Sequence, residues 1–395
     1  MTAAKNTATR KIPYGLHWID EAEVSEVTDT LRHGYLTSGP KVERFEKEFA
    51  EYCGVPHGVA VSSCSAALHL SMIALGVGPG DEVLTTPMSY VATSNAILHA
   101  GATPVFADID ARTFNLDPSQ IERKINPRTK GILVVHYGGQ PCDMDPILEI
   151  AVRHRLFVVE DASHAVHSAY KGRRIGSLSH ATAFSFHPVK NMTTAEGGMV
   201  TTGSRELAEK IRCLRLHGIV SDYRQREKEE EFEYPKMEYL GFKYNMTDVQ
   251  ASVGLAQLRK IEAFTARRRE IADFYSGAFK DIPELEVPYR MPGCDPVWHL
   301  YVIKLALERL NVSRGKFMKA LLNRNIVASV HYLPIHLQPY YRKRFGFKPG
   351  DFPVAESAYE RMISIPLFPK MTDADAGCVA EAVIAAVCET RRSGS

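Results

Sequence analysis

From Gly58 onward the chain alternates short β-branched runs with helical patterns: GVAVS, AALHLSMIALG, DEVLTTP, VATSNAILHAG and TPVFADI follow one another almost without interruption. Strand, helix, strand in repetition builds a helix-covered parallel sheet, because parallel neighbours must be joined by a crossover that runs back over the sheet face. The alternation continues through GILVVH (131–136), an amphipathic segment after Asp145, LFVVED (156–161), ATAFSF (181–186) and GGMVTT (197–202). The expected fold class is α/β, with one large and mostly parallel sheet. Sheets of this kind hold ligands outside the carboxyl ends of their strands. That rule singles out residues 62–65, 86–90, 161–164 and 187–190.

After about residue 250 the texture changes. The stretch VQASVGLAQLRKIEAFTARRREIADFYSGAF repeats apolar residues at helical spacing against a charged face, which predicts a long connector helix. WHLYVIKLAL, a helix around Arg314 to Asn325, IVASVHYLP and a last helix from Asp373 to Thr390 then suggest a smaller α+β domain. The expected division is a large domain over 12–265 and a small one over 266–395. The charged run RQREKEEEFEY (224–234) reads as a solvated loop, with a partner contact as the alternative.

Composition excludes several classes. A net charge of +2 gives no broad electrostatic reason to expect nucleic acid or an anionic membrane as a partner. The seven cysteines are scattered and form no C-x-x-C pair, so neither a disulfide framework nor a zinc site is suggested, and a reducing cytoplasm is the expected setting. No stretch approaches the roughly 20 apolar residues of a membrane span.

Lys190 follows ATAFSF and so falls on the ligand-binding rim, with Gly197 and Gly198 permitting a close backbone approach. A lysine partly removed from water there has a lowered pKa and can attack a carbonyl to form a Schiff base. Asp161, at the end of LFVVED, belongs to the same rim. A buried carboxylate needs a cation, which a protonated pyridine nitrogen supplies, although capping of a helix at ASHAV is an equally simple use for it. SSCSAALHL offers a phosphate the free N–H groups of a strand-to-helix turn, with plain capping by Ser63 or Ser65 as the alternative. Tyr90 is suited either to stacking on a planar ring or to the core. Taken together, a phosphate cradle, an aromatic platform, a carboxylate and an amine match the four demands of pyridoxal 5′-phosphate.

The order SSCSAALHL, TTPMSYVATSNAI, GATPVFADID, VHYGGQPCDM, VVEDASHA, AFSFHPVKN, TTAEGGMV, LRLHGI and GFKYNMTDVQASVGLAQL resembles the sugar-nucleotide aminotransferases of the DegT/DnrJ/EryC1/StrS family, from about Ile12 to the last helix. The resemblance implies PLP fold type I, the aspartate aminotransferase-like architecture, in a homodimer with shared active sites. It implies that Lys190 carries the cofactor, Asp161 pairs with the ring nitrogen, His164 lies near the phenolic oxygen and Tyr90 stacks on the ring. Cys64, Ser65 and Ser185 would hold the phosphate, and Asn245 would reach the phosphate of the neighbouring subunit's cofactor. Many relatives carry glycine and threonine at positions 64 and 65, so the contribution of Cys64 is best assigned to its amide. Many also read G-Y-N-Y-R where this chain has GFKYN, the K-Y-N form.

Within the family, IPYGLHWID, LTSGPKVERFE, GQPCDM and VHYLPIHLQPYYRKRFGFKPGDFP look most like the type that makes UDP-4-amino-4,6-dideoxy-N-acetyl-β-L-altrosamine. The resemblance therefore implies transfer of an amino group from L-glutamate to C4 of a UDP-4-keto-6-deoxy hexose. A UDP-4-keto-pentose, amination at C3, or a non-catalytic cofactor-binding regulator are the alternatives. His331 and Tyr332 are candidate contacts to sugar or glutamate, or else packing residues. The basic aromatic stretch YYRKRFGFK (340–348) is either a nucleotide diphosphate contact or a solvated patch.

Overall fold

The structure is a computed structural model that describes residues 10–219 and 236–392. The charged run 224–234 lies outside the described residues. A seven-stranded sheet forms from β1 (His57–Val61), β2 (Glu82–Thr85), β3 (Thr103–Phe106), β4 (Thr129–Val135), β5 (Phe157–Asp161), β6 (Ala181–Ser185) and β7 (Gly198–Thr202). In space their order is β1-β7-β6-β5-β4-β2-β3. The neighbours β6-β5, β5-β4, β4-β2 and β2-β3 are parallel, whereas β7 runs antiparallel to both β6 and β1. The reversal has a simple cause. Residues 186–197 contain turns in place of a crossover helix, so GGMVTT can only return beside β6 in the opposite direction.

Helices cover both faces: α1 (Glu21–His33), α2 (Pro40–Cys53), α3 (Cys64–Ala74), α4 (Ala92–His99), α5 (Met144–His154) and α6 (Arg205–Leu214). Side chains of β6 alternate between two cores. Phe184 belongs with α2 and α5 residues on one face, while Ala181 and Ala183 pack with α3 on the other. Phe49 of α2 meets Phe184 and Phe186 edge-on, with ring centroids at 5.0 and 5.3 Å, an arrangement favoured by the ring quadrupoles. These contacts pin the strand end from which the Lys190 loop departs.

The expected single connector helix is two. α7 (Asp248–Leu258) and α8 (Ile261–Phe279) are separated by a break at Arg259 and Lys260. Ile261 packs into a core beneath the large sheet, whereas Ile271, Ala272, Tyr275 and Phe279 enter a separate core. A continuous helix would hold one heading, and the break lets α8 turn toward the second core. That core also takes residues from β8 (Leu285–Glu286), β9 (Tyr301–Leu305), α9 (Arg314–Asn323), β10 (Met362–Ile365) and α12 (Asp373–Thr390). Between α9 and β10 lie α10 (Pro339–Phe345) and α11 (Pro353–Arg361). Ile12 bridges to Ile326 and packs into the second core, so the chain start joins that layer instead of the large sheet. No helix among the described residues is long and apolar enough to cross a membrane.

One buried carboxylate ties α7 to α2. Asp248, 1% exposed, accepts N–H bonds from Gly39 at 2.6 Å, Lys41 at 3.1 Å and Val42 at 3.0 Å. It caps α2, whose own N-cap, Gly39, has no side chain to do so. A Cβ at Gly39 would stand 2.3 Å from the Asp248 Oδ2, so the small residue is required by the close approach. Asp248→Ala leaves three donors unsatisfied and is expected to lower stability by about 3 kcal/mol. Asp248→Asn, which keeps one acceptor, loses less; urea unfolding of the two variants measures the difference.

Candidate active site

β1 ends in a turn that opens directly into α3. Ser63 is the N-cap, its Oγ accepting the Ala66 N–H at 3.1 Å, so the capping expected from the sequence is present. Cys64 and Ser65 are the first two helical residues, and their backbone N–H groups have no intrahelical acceptor. Ser65 is exposed and Cys64 half-buried. β7 presses on this turn from behind: a Cβ on Gly198 would stand 2.5 Å from the Ser63 carbonyl carbon. The close approach expected of the glycine pair is therefore made by Gly198 against the α3 N-terminus. Ser185, 6% exposed, ends the adjoining strand. Asn245 bridges to Val61 at the end of β1, and its amide donates to Ser38 Oγ at 2.9 Å within the same chain.

Asp161 ends β5 and is 4% exposed. No helix begins after it, which removes the capping role that the sequence left open. Its Oδ1 accepts the Ser163 N–H at 3.1 Å, and its Oδ2 accepts the Thr93 hydroxyl at 2.7 Å. Thr93 is in turn 2.7 Å from Ser89 Oγ. Among the described residues, no lysine or arginine lies within ion-pairing distance of Asp161. The nearby amine is Lys190, which burial brings from 10.5 down to about 8 against the opposing pull of Asp161 and Cys64.

A ring of aromatic and imidazole side chains encloses the same space. His164, 3% exposed, accepts the Gly138 N–H on Nδ1 at 3.3 Å and faces the Tyr332 hydroxyl through Nε2 at 3.1 Å. These bonds assign the ring proton to Nε2. Burial, then Lys190 and His331, hold His164 well below the usual imidazole range, so it is neutral. Tyr332 also lies 5.9 Å from Tyr90, centroid to centroid. Tyr90 is 60% exposed, which excludes the core placement and leaves its face open. His331 is lowered to about 4 by burial and by Lys190, and its Nδ1 is 2.8 Å from Ser364 Oγ.

The whole chain can now be compared with known proteins. Residues 17–384 match the DegT/DnrJ/EryC1/StrS aminotransferase family. The chain belongs to this family. Over 373 residues it is 50% identical to the spore coat polysaccharide biosynthesis protein SpsC of Bacillus subtilis, covering 94% of this chain and 96% of that one. The PMP form of Spr1654 from Streptococcus pneumoniae superposes with a TM-score of 0.91 at 33% identity, covering 96% of this chain and 99% of that one. Helicobacter pylori PseC, an aminotransferase involved in pseudaminic acid biosynthesis, gives 0.90 at 30% identity, covering 96% and 100%. The fold is thus PLP fold type I and the protein is a PLP-dependent sugar aminotransferase. The residues present fit that cofactor: a buried carboxylate has no ion-paired lysine or arginine among the described residues, a helix N-terminus offers free N–H groups, and a lysine of lowered pKa lies near enough to feel both Asp161 and Cys64.

Three residues of the site were not foreseen. Thr93 orients Asp161, Tyr137 donates to the His331 carbonyl, and His299 lies 4.3 Å from His164, ring to ring. Thr93 sits three residues after Tyr90, just beyond the stretch 86–90 marked as rim, so its place was within reach. His299 carried no signal, because it depends on Arg268 of α8 gripping the Trp298 and Leu367 carbonyls at 3.2 and 2.8 Å. In cofactor-free protein, labelling of Lys190 by an amine-reactive probe should follow the neutral amine and rise with pH through about 8. Asp161→Asn removes the anion that stabilises the ammonium and should move the midpoint lower; peptide mass spectrometry across a pH series reads both.

Proposed function

We propose that this chain transfers an amino group from L-glutamate to C4 of a UDP-4-keto-6-deoxy hexose, as a homodimer whose subunits share active sites. The observation that carries the proposal is the buried Asp161 carboxylate, with no ion-paired lysine or arginine among the described residues, near a lysine brought down to about 8. When bound, pyridoxal 5′-phosphate supplies an electron sink for the bond broken at the amino acid Cα. Asp161 keeps the ring nitrogen protonated, and Thr93 and Ser163 hold its two oxygens so that it cannot turn away. Lys190 anchors the cofactor at rest and, once displaced by glutamate, moves the proton from Cα; its neutral form is accessible near pH 8, as a general base requires. The same residue returns a proton at the sugar carbon in the second half of the cycle.

We assign the cofactor's remaining contacts on the family resemblance. The amides of Cys64 and Ser65 and the hydroxyls of Ser65 and Ser185 take the phosphate at the positive end of α3. Tyr90 would cover the ring with its exposed side chain, and neutral His164 would lie toward the phenolic oxygen. Asn245 reaches the phosphate held by the partner subunit. His331 and Tyr332 meet the sugar or glutamate, and the division at 265/266 assigns them to a small domain that closes over the site. The two cores support a boundary within α8, while Ile12 packs with the second core and a third cluster joins Met88 and Phe106 to Ile335 and Tyr341 across it. Likeness to SpsC and PseC supports a product used in a surface polysaccharide or an acidic sugar.

Borohydride reduction of the holoenzyme should leave a pyridoxyl group on the peptide containing Lys190, and Lys190→Ala should lower turnover by at least about a thousandfold. Incubation with glutamate and UDP-, dTDP- and GDP-keto sugars should give a UDP sugar aminated at C4 by NMR. An adduct on another lysine, or amination at C3, would overturn the assignment of residue or of carbon.

A further inference from the structure

Tyr90 stands between β2 and the first turn of α4, and two hydroxyls meet behind it. Ser89 Oγ and Thr93 Oγ1 lie 2.7 Å apart, and the Thr93 N–H donates to the Tyr90 carbonyl at 3.2 Å, so the turn that carries Tyr90 is closed from both sides. Ser89 is 4% exposed and Thr93 is fully buried, although the Tyr90 side chain between them is open. From this turn Thr93 Oγ1 also reaches the Asp161 Oδ2 at 2.7 Å. The aromatic platform and the carboxylate are thus joined through one threonine.

The direction of the protons in this chain of groups follows from what each can offer. An ionised carboxylate is an acceptor only, so the single Thr93 hydroxyl proton goes to Asp161 Oδ2. Thr93 Oγ1 then has only lone pairs for its other neighbour, and the Ser89 hydroxyl must be the donor between the two. Both protons therefore point toward the carboxylate. A hydroxyl that accepts one bond donates the next more strongly, and a bond to a charged oxygen is stronger again. Filling the space calls only for side chains of the size of Val and Ala; two buried hydroxyls in series, aimed at one oxygen, act on the charge of that oxygen. The other oxygen, Oδ1, takes the Ser163 N–H at 3.1 Å.

We infer that the Ser89–Thr93 hydroxyl chain decides where the proton resides between Asp161 and the pyridine nitrogen of the cofactor. Donors directed at the carboxylate favour its charged form, so the shared proton stays on the nitrogen and the ring draws electrons more strongly. Without them the proton is free to cross to the carboxyl group and leave the ring neutral. Ser89 acts through Thr93 and is a positioning residue. The inference rests on the proposed pairing of Asp161 with the ring nitrogen, and it adds the residues that regulate that pair.

Holoenzyme loaded with pyridoxal phosphate carrying nitrogen-15 in its ring reports the proton by NMR, without turnover. The unaltered protein should give the signal of a protonated ring. Thr93→Val keeps the shape and removes the donor; the proton distribution should shift by about tenfold or more, the loss of one hydrogen bond to a charged group, and the signal should move toward the neutral-ring position. Thr93→Ser should restore it. Ser89→Ala leaves the Thr93 hydroxyl in place and should give a smaller displacement in the same direction; if Thr93→Val does not take up cofactor, this variant decides alone. Borohydride reduction onto Lys190 shows that each variant is loaded. A ring signal that Ser89→Ala leaves unchanged would sink the inference, whatever Thr93→Val does, and would leave the proposed reaction standing. A neutral ring in the unaltered holoenzyme would overturn the Asp161 pairing and the inference together. A protonated ring that responds to both variants, in a protein that aminates no keto sugar, would keep the inference and overturn the reaction.

Discussion

A carboxylate shut away from water at the end of a central strand has to be answered by a positive charge, and among the described residues no lysine or arginine forms an ion pair with Asp161. Burying an unpaired charge is among the most costly things a fold can do. The surroundings reduce that cost only in part, through the Thr93 hydroxyl and the Ser163 N–H. A ligand cation would offset the rest. Lys190 lies near enough to feel Asp161, and burial brings its amine down to about 8, so that the proton it holds is readily given up.

The sheet makes this arrangement rigid. Asp161 terminates β5, a strand paired on both sides, and Glu160 beside it points to the other face, where it meets His136 at 2.8 Å and the Thr182 hydroxyl at 2.9 Å. Alternation along the strand thus gives one carboxylate to the core's polar network and leaves its neighbour at the rim. The Lys190 loop is held from the opposite side, where Phe49 packs on Phe184 and Phe186. Reversal of β7 then brings Gly198 against the α3 N-terminus and closes the anion cradle. Neutral His164, His299 and His331 complete the wall; each is kept uncharged by burial and by the cations nearby, so the enclosure adds hydrogen-bonding groups without competing positive charge.

Much of this was legible in the chain itself. Strand and helix alternation gave the sheet, its carboxyl edge gave the rim, and Lys190, Asp161, Tyr90 and the Ser63–Ser65 turn were found there because local period and punctuation are written in adjacent residues. The direction of β7 was not legible, since GGMVTT looks the same in either sense and only the lack of a crossover helix decides it. Nor was the break at Arg259 and Lys260, because apolar spacing runs through it unbroken. Ambiguity at Asp161 and Tyr90 had the same origin: a cap and a ligand site, or a core tyrosine and an open platform, share one local sequence and differ only in what packs against them.

By itself the sequence determined the fold class and the family, and it placed Lys190 and Asp161 on one rim of the sheet, because these depend on patterns carried by short stretches. Tertiary structure decided the rest. Thr93, His299 and Arg268 act on the site from 68 residues away or more, in the case of the Thr93–Asp161 bond, or through backbone carbonyls that any residue could supply. The hydroxyl chain from Ser89 to Asp161 exists only because α4 begins beside the end of β5. Contacts of that kind are set by how helices and strands pack in three dimensions, and no spacing along the chain records them.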